Sequence, residues 1–144
     1  VSATGGADRL GRHLKLSYGR VLENKNFLSV DFSATRVTSE FQNNEYDGAT
    51  IGVGYAMGEA IKGMRLSGDV SVRHADYDVY SVGGIDVGGR QDTELSGALN
   101  LHIESVDYLG FRPVLRLDAS RTSSNVSRFE GQNLGLSIGF QSAF

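Results

Sequence analysis

The chain has 144 residues, enough for one domain or part of one. Its net charge of −3 and lack of any basic run argue against a nucleic-acid partner. Cysteine is absent, which removes disulfides, thiolate metal sites and cysteine nucleophiles. No apolar run is long enough for a transmembrane helix, and Val1 to Gly6 do not read as a signal peptide. The 19 glycines and 1 proline suit closely paired strands better than helices. A mean hydropathy of −0.22 still permits a membrane barrel, because only alternate residues of such strands face lipid.

Residues 1–10 are polar and glycine-rich and read as a loop. From there the apolar residues alternate with polar or small ones, the two-residue period of a strand. Strand one, about 11–22, sets Leu14, Leu16 and Tyr18 against His13, Lys15, Ser17 and Gly19. After the turn Glu23 to Asn26, strand two, about 27–38, sets Leu28, Val30, Phe32 and Ala34 against Ser29, Asp31, Ser33 and Thr35. A polar loop to Glu45 leads into strand three, about 46–57, with Ala49, Ile51, Val53 and Tyr55 against Gly48, Thr50, Gly52 and Gly54. The turn Gly58 to Gly63 precedes strand four, about 64–76, where Leu66, Val70 and Val72 oppose Arg65, Ser67, Asp69, Ser71 and Arg73.

The longest loop is expected from Tyr77 to Asp92. Strand five, about 93–104, sets Leu95, Leu99, Leu101 and Ile103 against Glu94, Ser96, Asn100 and His102. Ser105 to Asp107 is a tight turn. Strand six, about 108–121, sets Leu109, Phe111, Leu115, Leu117 and Ala119 against Arg116, Asp118 and Ser120. Pro113 within it marks either a bulge or the strand's entry. The loop Thr122 to Gln132 leads to the last strand, where Leu134, Leu136, Ile138 and Phe140 alternate with Asn133, Gly135, Ser137, Gly139 and Gln141.

These seven strands form an all-β antiparallel meander. Each is about ten to thirteen residues long, against about five to six in ordinary globular proteins and about ten in a membrane-spanning barrel. Loops alternate short and long, as in outer-membrane barrels. One face of the strands is nearly free of charge. The other carries a polar wall of Lys15, Asp31, Arg65, Asp69, Arg73, Glu94, His102, Arg116 and Asp118, expected to face a lumen. In a soluble lipocalin-like barrel or sandwich the apolar face would point inward, and alternation alone does not fix the direction. Strand length and loop alternation favour apolar-out, with outer-membrane lipid as the covering partner. Tyr18, Phe27, Tyr55, Tyr108, Phe111 and Phe140 gather at one end, as an interfacial aromatic belt would.

The spacing of Asn133, Gly135, Ile138 and Phe140, ending on the aromatic Phe144, resembles the C-terminal signal read by the β-barrel assembly machinery of the bacterial outer membrane. If the last strand runs toward the periplasm, counting back through seven strands leaves the first starting outside. A complete bacterial barrel has an even strand number. The expectation is therefore that residues 1–144 are the C-terminal part of a larger transmembrane barrel.

Arg90-Gln91-Asp92-Thr93, Tyr108-Leu109-Gly110-Phe111-Arg112-Pro113, Arg121-Thr122-Ser123-Ser124-Asn125 and the strand to Phe144 resemble the C-terminal barrel of the surface lipoprotein assembly modifiers. The upstream strands fit more loosely. The resemblance implies a fourteen-strand barrel behind a periplasmic tetratricopeptide-repeat domain. It also implies a role in moving lipoproteins or secreted proteins across the outer membrane. The chain has no helical repeats, so it would cover the second half of such a barrel without the repeat domain. The alternative is a small porin-like or structural barrel with no protein substrate.

Enzyme chemistry is not expected. Asp31, Asp69, Glu94 and Asp118 can be read as acid–base carboxylates, but charges alternating along a lumen, paired with Lys15, Arg65, Arg73 and Arg116, explain them more simply. His13, His74 and His102 share no metal-ligand spacing, and His102 lies on the wrong face to serve a lipase serine. Gly83-Gly84-Ile85-Asp86 with Asp76 and Asp78 matches no calcium-loop pattern and reads as a surface loop. No cofactor is expected.

Overall fold

Regular alternation makes long strands. The computed structural model describes residues 9–142 apart from 24 and 41. The strands are β1 (Arg9–Val21), β2 (Phe27–Ser39), β3 (Tyr46–Ala56), β4 (Met64–Tyr77), β5 (Ser81–Val82), β6 (Ile85–Asp86), β7 (Arg90–Ile103), β8 (Phe111–Ser124) and β9 (Gly131–Ser142). Seven of them form one antiparallel sheet in the order β1-β2-β3-β4-β7-β8-β9, while β5 and β6 make a small separate hairpin. The registers run without a bulge from one edge to the other. Neither β1 nor β9 has a second neighbour among the described strands, so the sheet has two open edges.

Short turns after β1, β3 and β7 lie at one end of the sheet, and the long connections after β2, β4 and β8 lie at the other. At the short-turn end one turn is used twice. Lys62 and Gly63 have φ of 52° and 74°, and Leu109 and Gly110 have φ of 53° and 81°. Two positive φ values in succession make the type I′ turn, whose twist matches that of the flanking strands. Each turn is closed by a reciprocal backbone pair: Ile61 with Met64 at 2.9 and 3.0 Å, and Tyr108 with Phe111 at 2.9 and 3.0 Å. The Asp107 carboxylate also accepts the Gly110 N–H at 2.9 Å.

Several boundaries differ from the sequence expectation. Arg9 and Leu10, expected in the loop 1–10, belong to β1 and pair with Ser39 and Thr38; residues 1–8 lie outside the described residues. Tyr77, Arg90–Asp92, Thr122–Ser124 and Gly131–Gln132 were expected in loops and lie in strands. Their polarity is no loop signal here, because half the positions of every strand in this sheet are polar. Strand six starts at Phe111 rather than 108, because Leu109 and Gly110 form the turn. Pro113 causes no bulge. It pairs with Phe140, and the β7 ladder begins one residue later at Val114, so its missing N–H interrupts neither register.

The described residues have almost no core. Val37, Ala75, Tyr80 and Arg90 are the ones classed as buried. Apolar side chains stay open to solvent even on central strands: Val53 is 48% and Leu99 44% exposed. The chain exposes 10331 Å², whereas a folded soluble monomer of its 15.5 kDa exposes about 7,200 Å².

The turn makes a testable distinction between glycines. Gly110→Ala must place a Cβ at positive φ and should cost about 1 kcal/mol. Gly131→Ala, where a Cβ would meet nothing within 4 Å, should be neutral or slightly stabilising. Denaturant midpoints of the detergent-refolded protein measure both.

Candidate functional site

Cross-strand partners in an antiparallel pair share a face, so the registers sort every side chain. Lys15 stands opposite Ser33, Asp31 opposite Ser17 and Gly52, and Asp69 opposite Gly54 and Ala98. Arg65 stands opposite His102, Arg73 opposite Thr50 and Glu94, Arg116 opposite Asn100 and Ser137, and Asp118 opposite Ala98 and Gly135. All nine expected wall residues lie on one face. Asn133 and Gly135 share it; Ile138 and Phe140 lie on the other face of β9, and Phe144 lies outside the described residues.

The wall's charges pair less regularly than alternation suggests. The Lys15 ammonium is 3.5 Å from Asp31, which also accepts the Ser17 hydroxyl at 2.5 Å. Arg116 holds Asp118 at 2.7 Å and reaches Asn100 at 3.3 Å. Arg65 turns away from the sheet carboxylates to Glu104 at 3.0 Å, and Arg73 stacks 5.5 Å over Tyr46. His102 on β7 reaches over β8 to Gln141 on β9 at 3.0 Å. Adjacent strands are about 4.8 Å apart. The bond therefore bridges two strand spacings across the polar face and ties β7 to β9. Between the charges the wall is lined by small residues. Ser29, Ser33, Thr50, Gly52, Gly54 and Ser71 help form a trough of about 410 Å³.

The aromatic belt also sorts by register. Tyr18, Tyr55, Phe111 and Phe140 lie on the apolar face near the short-turn end, and Tyr108 pairs with Phe111 just beyond it. Phe27 is the exception. It lies on the polar face and its ring covers Gly19, where a Cβ would stand 2.6 Å from the ring.

At the long-loop end the structure gathers residues that sequence reasoning missed. The Arg90 guanidinium lies 3.6 Å from the Tyr77 ring centroid, 3.8 Å from that of Phe129 and 5.8 Å from that of Tyr80, with Asp92 3.1 Å from Nε. Tyr80 and Phe129 meet edge to face at 5.3 Å. Two asparagines tie the three long connections into this cluster. Asn43 accepts the Ser81 N–H at 2.7 Å and donates to the Ser81 carbonyl at 2.9 Å. Asn125 accepts the Gln91 N–H at 2.8 Å and donates to the Gly89 carbonyl at 2.9 Å. The segment Gly83 to Asp86, expected as surface loop, forms the turn and second strand of the β5–β6 hairpin. Gly83 and Gly84 turn it at φ of 60° and 82°, and Asp86 caps the Gly88 N–H at 2.8 Å.

Val37, Ala75 and Arg90 all lie on the polar face, so the buried part of the described chain sits over that face at the long-loop end. The signal was present in the sequence, since Arg90, Asp92 and Asn125 fall within the motifs quoted above. Two residues apart on one strand, Arg90 and Asp92 necessarily share a face. Among the described residues, no group of three possible metal ligands stands together.

The fold and this wall define the class: an antiparallel β-meander with one polar and one apolar face, its long connections folded over the polar one. The profile of the surface lipoprotein assembly modifier family matches residues 8–144, nearly the whole chain. The chain belongs to that family. Comparison with curated proteins and with solved structures finds no match.

The loop cluster predicts a local effect. Arg90→Met leaves Asp92 without its cation and removes two stacking contacts, which should loosen the connections by about 3 kcal/mol. Adding Asp92→Asn should recover part of that. Protease cleavage within residues 78–89 should accelerate in the single variant and slow again in the double.

Proposed function

We propose that this chain is a strand segment of a bacterial outer-membrane β-barrel that assists the surface display or translocation of lipoproteins or secreted proteins. Its apolar face meets lipid and its polar face lines the lumen. The observation that carries this reading is the bare apolar band. It runs unbroken by charge through Leu14–Tyr18, Leu28–Ala34, Ala49–Tyr55, Met64–Val72, Leu95–Ile103, Phe111–Ala119 and Leu134–Phe140, taking alternate residues. Arg12, Arg36, Asp47, Asp76 and Arg121 bound it toward the long-loop end, and Arg20, opposite Leu28, bounds it on β1 toward the short-turn end.

Met64 to Val72 is eight steps of about 3.3 Å, or about 20 Å across the band at the tilt usual for membrane barrels, close to the about 25 Å such barrels present. A soluble monomer does not leave so large an apolar surface uncovered. No helix among the described residues is long and apolar enough to cross a membrane, so the reading rests on strands.

The family supplies the link to lipoprotein assembly. The small, charged wall supplies a surface along which a polar polypeptide can be guided. The open edges at β1 and β9 support a barrel completed by further strands, as the fourteen-strand expectation requires. The cluster around Arg90, folded over the polar face, favours this reading over an open porin.

Two substitutions test the faces. Val53→Arg or Leu99→Arg should cost about 2–4 kcal/mol in bilayer-refolded protein, and Thr50→Arg much less. Equal tolerance on both faces, or monodisperse protein without detergent, would overturn the membrane reading. The transport role is tested by protease accessibility of a candidate lipoprotein at the surface of cells lacking this protein. Display should fall and return on complementation. Unchanged display, with solute flux through the reconstituted protein, would favour the porin.

The assembly-signal role of β9 makes a further prediction. Phe140 is 72% exposed on an edge strand, so its packing contribution is small. Phe140→Ser should therefore lower the inserted level in cells while sparing refolding in detergent, which bypasses the assembly machinery. Equal failure in both would make β9 ordinary structure.

A further inference from the structure

The apolar band is not uniform. Val70, Gly97, Ala119 and Leu134 are successive cross-strand partners and form one row across β4, β7, β8 and β9. The two middle positions carry almost no side chain, so the row dips. Leu99 and Leu117 stand in the row on the short-turn side; Leu95, Arg121 and Gln132 stand in the row on the other. The result is an open depression of about 700 Å³, within the about 300–1,000 Å³ of ordinary small-molecule sites.

Packing explains part of this. A Cβ on Gly97 would come within 3.1 Å of the Asp69 carbonyl oxygen, so the close pairing of β4 and β7 favours glycine there. Packing does not explain the head of the depression. Arg121 lies on the apolar face at the band's edge, opposite Gln132, and among the described residues no ion pair includes it. Arg36, on the same rim, has Asp47 at 3.6 Å. A guanidinium suits a phosphate, which it can grip with two parallel hydrogen bonds.

Taking the membrane reading above as its basis, we propose that this depression binds one anionic, phosphate-bearing membrane lipid. Arg121 holds the phosphate, with Gln132 beside it. An acyl chain lies over Gly97 and Ala119, between Val70 and Leu134. Continuity with the lipid-facing band selects an acyl chain as occupant, and the unpaired cation selects an anionic headgroup.

The chain contains no tryptophan, so one can be placed as a reporter. Leu134→Trp stands at the depression and Val30→Trp lies on the same face at β2. Leu136→Trp, one row below Leu134, serves if Leu134→Trp does not fold. Each full chain is refolded into phosphatidylcholine vesicles holding a small, equal mole fraction of acyl-brominated phosphatidylglycerol or acyl-brominated phosphatidylcholine.

Quenching at the depression should be about threefold or more stronger with brominated phosphatidylglycerol, and equal for the two lipids at Val30→Trp. Arg121→Gln should abolish the preference, Arg121→Lys should keep part of it, and Ala119→Leu, which fills the floor, should weaken it. Equal quenching by both lipids at the depression, or a preference that survives Arg121→Gln, overturns this site and leaves the membrane reading intact. Absence of quenching at every reporter overturns the membrane reading itself.

Discussion

Everything in this sheet depends on register. A strand's side chains alternate with a period of two, so a slip of one residue in any pairing would send a whole strand's apolar side chains to the polar face. Six consecutive ladders hold register with no bulge, and the nine wall residues, drawn from five strands, arrive on the same side. Part of that fidelity is local. The Lys62-Gly63 and Leu109-Gly110 turns close two of the short connections with reciprocal backbone pairs. Cross-strand contacts on the polar face, such as Ser71 with Ser96 at 2.9 Å and His13 with Thr35 at 2.9 Å, add pair-specific bonds.

Held this way, the sheet has its usual energetics turned around. A globular domain draws its stability from apolar side chains brought together. Here those side chains point away from one another, into whatever lies outside the sheet. Backbone ladders supply the cohesion, and the few buried side chains gather at the long-loop end, on β2, β4 and β7 and in the connection that holds Tyr80. Arg90 illustrates the difference. Its guanidinium is enclosed by two rings and a carboxylate, an environment in which cation–π attraction is strongest because water is excluded. The strands are held by repetition, whereas the loops are held by a few specific contacts.

That contrast explains what the sequence made legible. The seven long strands, their order and the face each residue takes could be read, because each follows from a two-residue period carried through runs such as Ala49 to Tyr55; the short β5–β6 hairpin carries no such run. The loop end could not be read. Asn43 and Ser81 are far apart along the chain, and nothing local in either residue announces the other. The strand ends near Arg90 and Thr122 were misread for a related reason, since polar residues continuing an alternation look like the start of a loop when no partner strand is in view. Phe27 stands with the aromatics by its position along the strand, yet its parity puts it on the polar face. Arg90, Asp92 and Asn125 stand in recognisable motifs, but the motifs do not name the rings of Tyr77 and Phe129 that stack on Arg90.

The type I′ turns and nearest-neighbour pairing also bear on how such a sheet can change size. Every ladder joins strands consecutive in the large sheet, so each hairpin is a unit whose contacts are mostly its own and those of the next hairpin. Inserting or deleting one whole hairpin leaves strand direction, facial parity and the side on which each turn emerges unchanged for all the rest. Removing a single strand would reverse every one after it and exchange short turns for long loops. Variation in a sheet of this design therefore comes in pairs of strands, and its width can be altered without redesigning either face.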